Sequence, residues 1–223
     1  MSPVPRGAGT GRVELEAVVL DVDGTVLNSA DGIVAAYRHA LAAVGVAAPD
    51  EAGLRADLGP PLVTLLPALG VPSERLAEAA AAYRTYYLRA GLHQARPYDG
   101  VVEVLARLSS RVRLATATAK RTDTAAATLE AHGLSRFFTV VNGLDDDHPT
   151  KTATLGRTLE LLGDPEPARI AMVGDRHSDV SAGRDVGART VGVLWGYGSR
   201  AELEAAGPDL LLEHPAQLVD LLG

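Results

Sequence analysis

Cysteine is absent from the 223 residues. That removes a disulfide framework, a thiolate metal site and a cysteine nucleophile together, and it fits a reducing compartment. Positive charge is in short supply, because 21 Lys and Arg face 28 Asp and Glu for a formal net charge of -7. A nucleic-acid binder needs a positive face for the phosphate backbone, so that class is set aside. No apolar run reaches the length of a membrane span, and the first ten residues hold none of signal-peptide length. The expected setting is cytoplasmic, with no nucleic-acid or membrane partner. Small anionic substrates stay open, since one metal ion or lysine can dominate a site. What remains is an ordinary globular composition, 47% hydrophobic and 22% charged, able to bury a core.

Lysine is nearly missing as well. Only Lys120 and Lys151 occur, and arginine carries the positive charge elsewhere. A planar guanidinium cannot replace a compact ammonium beside a crowded phosphate or carboxylate. The two surviving lysines are therefore candidates for site residues.

Short apolar runs alternate with helical patterns, which predicts a parallel sheet with crossover helices. The runs are Ala17–Leu20, Val112–Ala117, Phe137–Val141, Ile170–Val173, Thr190–Leu194 and a weak Leu210–Leu212. The stretch from Leu27 to Arg111 is too long for one crossover and reads as helical. Its clearest helices are Gly32–Val44 and Ser73–Arg89, the second with Ser73 as N-cap. Gly45, Gly70 and Gly91 fall at expected helix ends. The reading is a Rossmann-like α/β core of residues 14–27 and 97–223, a helical domain inserted at 28–96, and a flexible tail at 1–13.

The chemistry concentrates in Leu20-Asp-Val-Asp-Gly-Thr25. If Ala17–Leu20 is a buried parallel strand, Asp21 and Asp23 emerge at its carboxyl end, where open α/β sheets place ligands. Val22 points the other way, so both carboxylates can face one site. Gly24 lets backbone N–H groups come close to an anion, and Thr25 adds a hydroxyl. Three further clusters sit at predicted sheet ends: Thr118-Ala119-Lys120, Lys151, and Gly174-Asp175-Arg176-His177-Ser178-Asp179. Both lysines thus fall beside the acids.

Taken together, in this order, the clusters resemble the haloacid dehalogenase superfamily of phosphohydrolases, and more narrowly its phosphoglycolate phosphatase-like branch with a helical cap. The stretches that carry the likeness are Asp21–Ser29, Leu58-Gly-Pro-Pro-Leu62, Arg96-Pro-Tyr-Asp-Gly-Val101, Leu114–Lys120 and Met172–Arg176. The resemblance implies Mg²⁺-dependent hydrolysis of a small phosphorylated metabolite through an aspartyl-phosphate. It makes Asp21 the nucleophile and Asp23 the acid and base. It places the metal between Asp21, the Asp23 carbonyl and Asp175. It gives phosphate binding to Gly24, Thr118, Ala119 and Lys151, with Asp179 orienting Lys151 or a metal-bound water.

The likeness has departures. Ala119 stands where many relatives have Asn, and Thr152 where a Pro often follows the lysine. Thr116 competes with Thr118, although the spacing to Lys120 favours Thr118. Arg55 and the Gly59-Pro60-Pro61 turn are expected to face the site from the cap. His177 reads as a loop contact, Asp145–Asp147 as a solvated acidic loop, and Tyr83, Tyr86 and Tyr87 as packing. A phosphosugar mutase, or a binding protein that has kept the fold, are the alternatives. A dehalogenase would need neither Asp23 nor Asp175, and a Schiff-base phosphonate hydrolase would need a lysine within 28–96.

Overall fold

Strands covered on both faces need apolar side chains in unbroken runs, and such runs form the centre of this molecule. The computed structural model describes residues 14–222, so the expected tail at 1–13 lies outside the described residues. In chain order the strands are β1 (Ala17–Leu20), β2 (Leu27–Asn28), β3 (Arg96–Pro97), β4 (Arg113–Thr116), β5 (Thr118–Arg121), β6 (Gly143–Leu144), β7 (Ile170–Gly174), β8 (Arg189–Val193) and β9 (Leu210–Leu212). Five of them make a parallel sheet in the order β4-β1-β7-β8-β9. Alternation along β1 sends Val18 and Leu20 to one face and Ala17 and Val19 to the other. The first face packs on Val104, Leu105 and Leu108, the second on Leu155, Leu159 and Leu162.

The helices are α1 (Ala30–Ala43), α2 (Glu51–Ala56), α3 (Leu62–Ala68), α4 (Leu76–Arg89), α5 (Val101–Ser109), α6 (Thr122–Ala131), α7 (Lys151–Leu161), α8 (His177–Asp185) and α9 (Arg200–Ala206). α5 covers one sheet face, and α7 with α8 covers the other. α1 to α4 build their own apolar clusters, around Tyr37, Leu54 and Tyr87 and around Leu41, Leu66 and Ala79. The chain leaves the sheet for these helices through β2 and returns through β3, which pair antiparallel, Leu27 with Pro97 and Asn28 with Arg96. Among the described residues no helix is long and apolar enough to cross a membrane.

Two expectations fail for identifiable reasons. Phe137–Val141 is not a regular strand: a 3₁₀ turn covers Ser135–Phe137, and one bridge joins Val140 to Ala115. The pairing stops there because the Asn142 N–H goes to the Thr116 hydroxyl at 2.9 Å instead of a ladder carbonyl. Ser73 is not the cap of a long helix. It opens a 3₁₀ turn, donates its hydroxyl to Glu74 at 3.2 Å, and leaves α4 to start at Leu76.

Gly32 on α1 shows how closely the helical layer is packed. A Cβ there would overlap the Gly91 carbonyl, in the 3₁₀ turn that follows α4. Gly32→Ala is therefore expected to cost about 1–3 kcal/mol as an overpacked contact, read as a lower urea midpoint with an unchanged slope.

Candidate active site

Order in the sheet reverses at β1, with β4 on one side and β7 on the other. The carboxyl end of such a strand opens into the crevice where ligands bind. Asp21 and Asp175 follow β1 and β7 directly, and Thr118 opens β5 just past β4. Lys151 is the first residue of α7, whose N-cap Thr150 accepts the Ala153 N–H at 3.1 Å.

Lys151 is the hub. Its Nζ lies 2.8 Å from Asp21 Oδ2 and 2.7 Å from Asp179 Oδ1, and it donates to the Ala117 carbonyl at 3.1 Å. Burial alone would lower its pKa, but the Asp179 and Asp21 charges outweigh that and raise it. Burial pushes Asp179 up, with Lys151 opposing. The remaining Asp179 oxygen accepts the Arg176 N–H at 3.0 Å.

Asp175 is fully buried and meets only neutral donors, the Tyr197 N–H at 2.7 Å and the Thr25 hydroxyl at 3.2 Å. Burial, then the neighbouring Asp179 and Asp21 charges, push its carboxyl up to about 8. Oxygens of Asp21, Asp175 and Asp179 all lie within 4.8 Å of one another. Three buried carboxylates thus share one ammonium. The deficit of positive charge and the all-oxygen donor set fit a hard divalent cation such as Mg²⁺.

Lys120 takes the second motif acid. Its Nζ is 2.6 Å from Asp23 Oδ2, with side chains 8% and 15% exposed. The same ammonium sits 4.3 Å from the centre of the Tyr87 ring. Desolvation works against its charge, and Asp23 foremost overrides it to raise the pKa. Asp23 Oδ1 is buried with no hydrogen-bond partner. The two lysines of the chain are therefore buried partners of the two acids that follow β1.

A loop after β8, Trp195–Ser199, escaped the sequence reading. The Trp195 indole donates to the Thr25 carbonyl at 3.0 Å, and Tyr197 supplies both the N–H on Asp175 and a hydroxyl that accepts the Ser29 N–H at 2.8 Å. A Cβ at Gly196 or at Gly24 (φ +81°) would overlap the Asp175 carboxylate from either side. Two glycines flanking Tyr197 just past a parallel strand were the available signal. The Gly24 N–H, expected near an anion, is engaged by the Leu27 carbonyl at 2.8 Å. What Gly24 provides is room for Asp175.

Thr118, Ala119 and Lys120 line a cavity of about 350 Å³ that also exposes Asp21 and Asp23. Of the two competing threonines, both buried, Thr116 donates to the Asn142 carbonyl at 2.8 Å and is not part of the lining, whereas Thr118 is. Pro60 and Pro61 line the cavity, and so do Tyr83, Asp145 and Asp146. Arg55 does not reach it. Its guanidinium pairs with Asp31 and Glu51 on the exposed side of α2, which makes the expectation of an inward-facing Arg55 wrong. His177 is an exposed partner of Glu202 at 2.8 Å.

Residues 18–193 match the family model described as haloacid dehalogenase-like hydrolase. The chain is 37% identical over 209 residues to the tyrosine-protein kinase PtkA of Mycobacterium tuberculosis, covering 92% of this chain and 71% of that protein. It is 34% identical to the probable phosphatase IndB of Dickeya dadantii, covering 91% of each, and 31% identical to the pyrophosphatase PpaX of Bacillus velezensis, covering 93% and 96%. Among solved structures, a haloacid dehalogenase-like family hydrolase from Streptococcus pneumoniae superposes with a TM-score of 0.86 at 27% identity, covering 94% of this chain and 99% of that one. That of M. tuberculosis PtkA superposes with 0.78 at 35%, with the same coverage.

Removing one partner of a buried ion pair strands the other charge. Lys120→Met is therefore expected to cost about 3–5 kcal/mol, most of it returned when Asp23→Asn is added. A double-mutant cycle by urea denaturation measures the coupling.

Proposed function

The chain belongs to the haloacid dehalogenase-like hydrolase family, and from that premise we propose that it hydrolyses a small phosphate monoester in two steps through an aspartyl-phosphate on Asp21. The observation that carries this reading is Asp21 on the cavity lining, held 2.8 Å from Lys151 and within 4.8 Å of the buried Asp175 carboxylate, whose hydrogen-bond donors are all neutral. Relatives named as phosphatases support the reaction class, among them a phosphoglycolate phosphatase from Aquifex aeolicus at 29% identity over 212 residues.

In the first step an Asp21 oxygen attacks phosphorus and the bond to the leaving oxygen breaks. Asp23, in its protonated form, gives that oxygen its proton. Oδ1 is the atom free for the transfer, since Oδ2 is held by Lys120. In the second step water attacks phosphorus, Asp23 takes the water's proton, and the Asp21 carboxylate is released. Lys151 and the Thr118 hydroxyl offset the phosphoryl charge, without which a carboxylate could not approach a dianion. Asp179 fixes Lys151. Asp21, the Asp23 carbonyl and Asp175 would hold Mg²⁺, which supplies Lewis-acid charge stabilisation. The helices of residues 28–96 act as a cap on the core of 14–27 and 97–223, closing the cavity to water.

The name of the M. tuberculosis relative favours a second reading, phosphoryl transfer to tyrosine. Label from ATP γ-phosphate appearing on a tyrosine peptide, with no phosphate released from monoesters, would select it.

Asp21→Asn should lower phosphate release from p-nitrophenyl phosphate to below about one thousandth while the circular dichroism spectrum stays native. Asp23→Asn should slow ethyl phosphate about 10²-fold more than p-nitrophenyl phosphate, whose leaving group needs no proton. Equal losses would remove Asp23 as the acid. EDTA should abolish release and excess Mg²⁺ restore it; full activity in EDTA would remove the metal from the scheme.

A further inference from the structure

Three features of the cavity bear on what leaves with the phosphate, and they rest on the phosphatase reading above only for the direction in which the ester enters. The first is size. About 350 Å³ lies within the range of roughly 300–1,000 Å³ typical of small-molecule pockets, far more than the leaving group of a two-carbon acid fills.

The second is the wall. Besides Asp21 and Asp23, much of the lining comes from the helical layer: Ile33 and Tyr37 of α1, Leu62 and Val63 of α3, and Tyr83 of α4. Tyr37 and Tyr83 stand 5.1 Å apart between ring centres, and Tyr83 stacks on Tyr87 at 5.9 Å with only 5° between planes. The end rings Tyr37 and Tyr87 are buried and Tyr83 between them is half-buried on the cavity wall, so one more ring would rest on Tyr83 in the offset or tilted arrangements that aromatic groups prefer. Val63 is 73% exposed, a large apolar side chain that contributes nothing to a core and stands on the cavity wall.

The third is charge. Lys120 is committed to Asp23 at 2.6 Å in a buried pair, and Arg121 meets Asp146 at 3.0 Å in an exposed one. Among the described residues Arg84 is left as the lining cation with no carboxylate in salt-bridge reach. A second anionic group on a small substrate would have that one partner and would otherwise be desolvated against apolar wall, at high cost.

We propose that the substrates of this site are phosphate monoesters whose leaving group carries an aromatic ring, seated against Tyr37, Tyr83, Leu62 and Val63. Calorimetry on the Mg²⁺-supplemented protein, comparing benzylphosphonate with phosphonoacetate, reads the preference without turnover. Benzylphosphonate should bind at least about 30-fold more tightly, which is ~2 kcal/mol at 1.4 kcal/mol per tenfold. Tyr83→Ala should shrink the ratio to below about fivefold and Tyr83→Phe should keep it; Val63→Asn, at an exposed position, should lower it if Tyr83→Ala does not fold. Equal affinity, tighter phosphonoacetate, or a ratio that no variant moves would overturn the proposal.

Hydrolysis of 2-phenylethyl phosphate against ethyl phosphate, two alkyl esters of similar leaving oxygen, repeats the comparison in kcat/KM. If neither ester is cleaved while the calorimetric preference holds, the hydrolase reading fails and the ligand class stands. If both are cleaved at the same kcat/KM, the ligand class fails and the hydrolase reading stands. O-Phosphotyrosine and a peptide bearing it then separate a free metabolite from a protein side chain as the source of the ring.

Discussion

One ammonium group, that of Lys151, makes the rest of the arrangement tolerable. Asp21, Asp175 and Asp179 converge with almost no access to water, and like charges so placed repel strongly at low effective dielectric. Lys151 bridges two of the three and anchors to the Ala117 carbonyl, which ties α7 to the ends of β1 and β4. The price of burying acids here is met by geometry: sheet ends deliver the carboxylates, and a helix start delivers the cation.

The pairing of lysines with acids also accounts for the odd composition. Lys151 serves Asp21 and Asp179, and Lys120 serves Asp23 while lying over the Tyr87 ring. Each occupies a crowded niche in which a point charge on a thin stem reaches its partner, and a broad planar fork would not fit the same space. Arginine carries the ion pairs on the outside, as at Arg55, Arg75 and Arg200, where water and room are plentiful.

Legibility followed the locality of the cause. Ala17–Leu20 and Ile170–Val173 could be read because burial on both faces demands an unbroken apolar run, and the acids after them follow from strand position alone. Lys151 stood out by scarcity. Other features depend on partners distant in the chain. Phe137–Val141 has strand composition, yet Asn142 diverts the pairing to Thr116. Arg55 looked like a cap cation until Asp31, 24 residues away, proved to hold it outward together with the nearby Glu51. Gly24 looked like an anion cradle, while its actual neighbour is Asp175, held in turn by the Tyr197 N–H. Motif spacing carries chemistry well and carries tertiary neighbours poorly.

The β2–β3 pair has an architectural consequence. Asn28 and Arg96 face each other across an antiparallel ladder, so their α-carbons sit within about 5.5 Å. Everything between them is a closed excursion whose two ends already meet. The parallel sheet is blind to the length of that excursion, because lengthening, shortening or replacing it leaves the spacing of the anchor points unchanged. The segment that supplies much of the cavity wall can thus change while the strands beneath it keep their register.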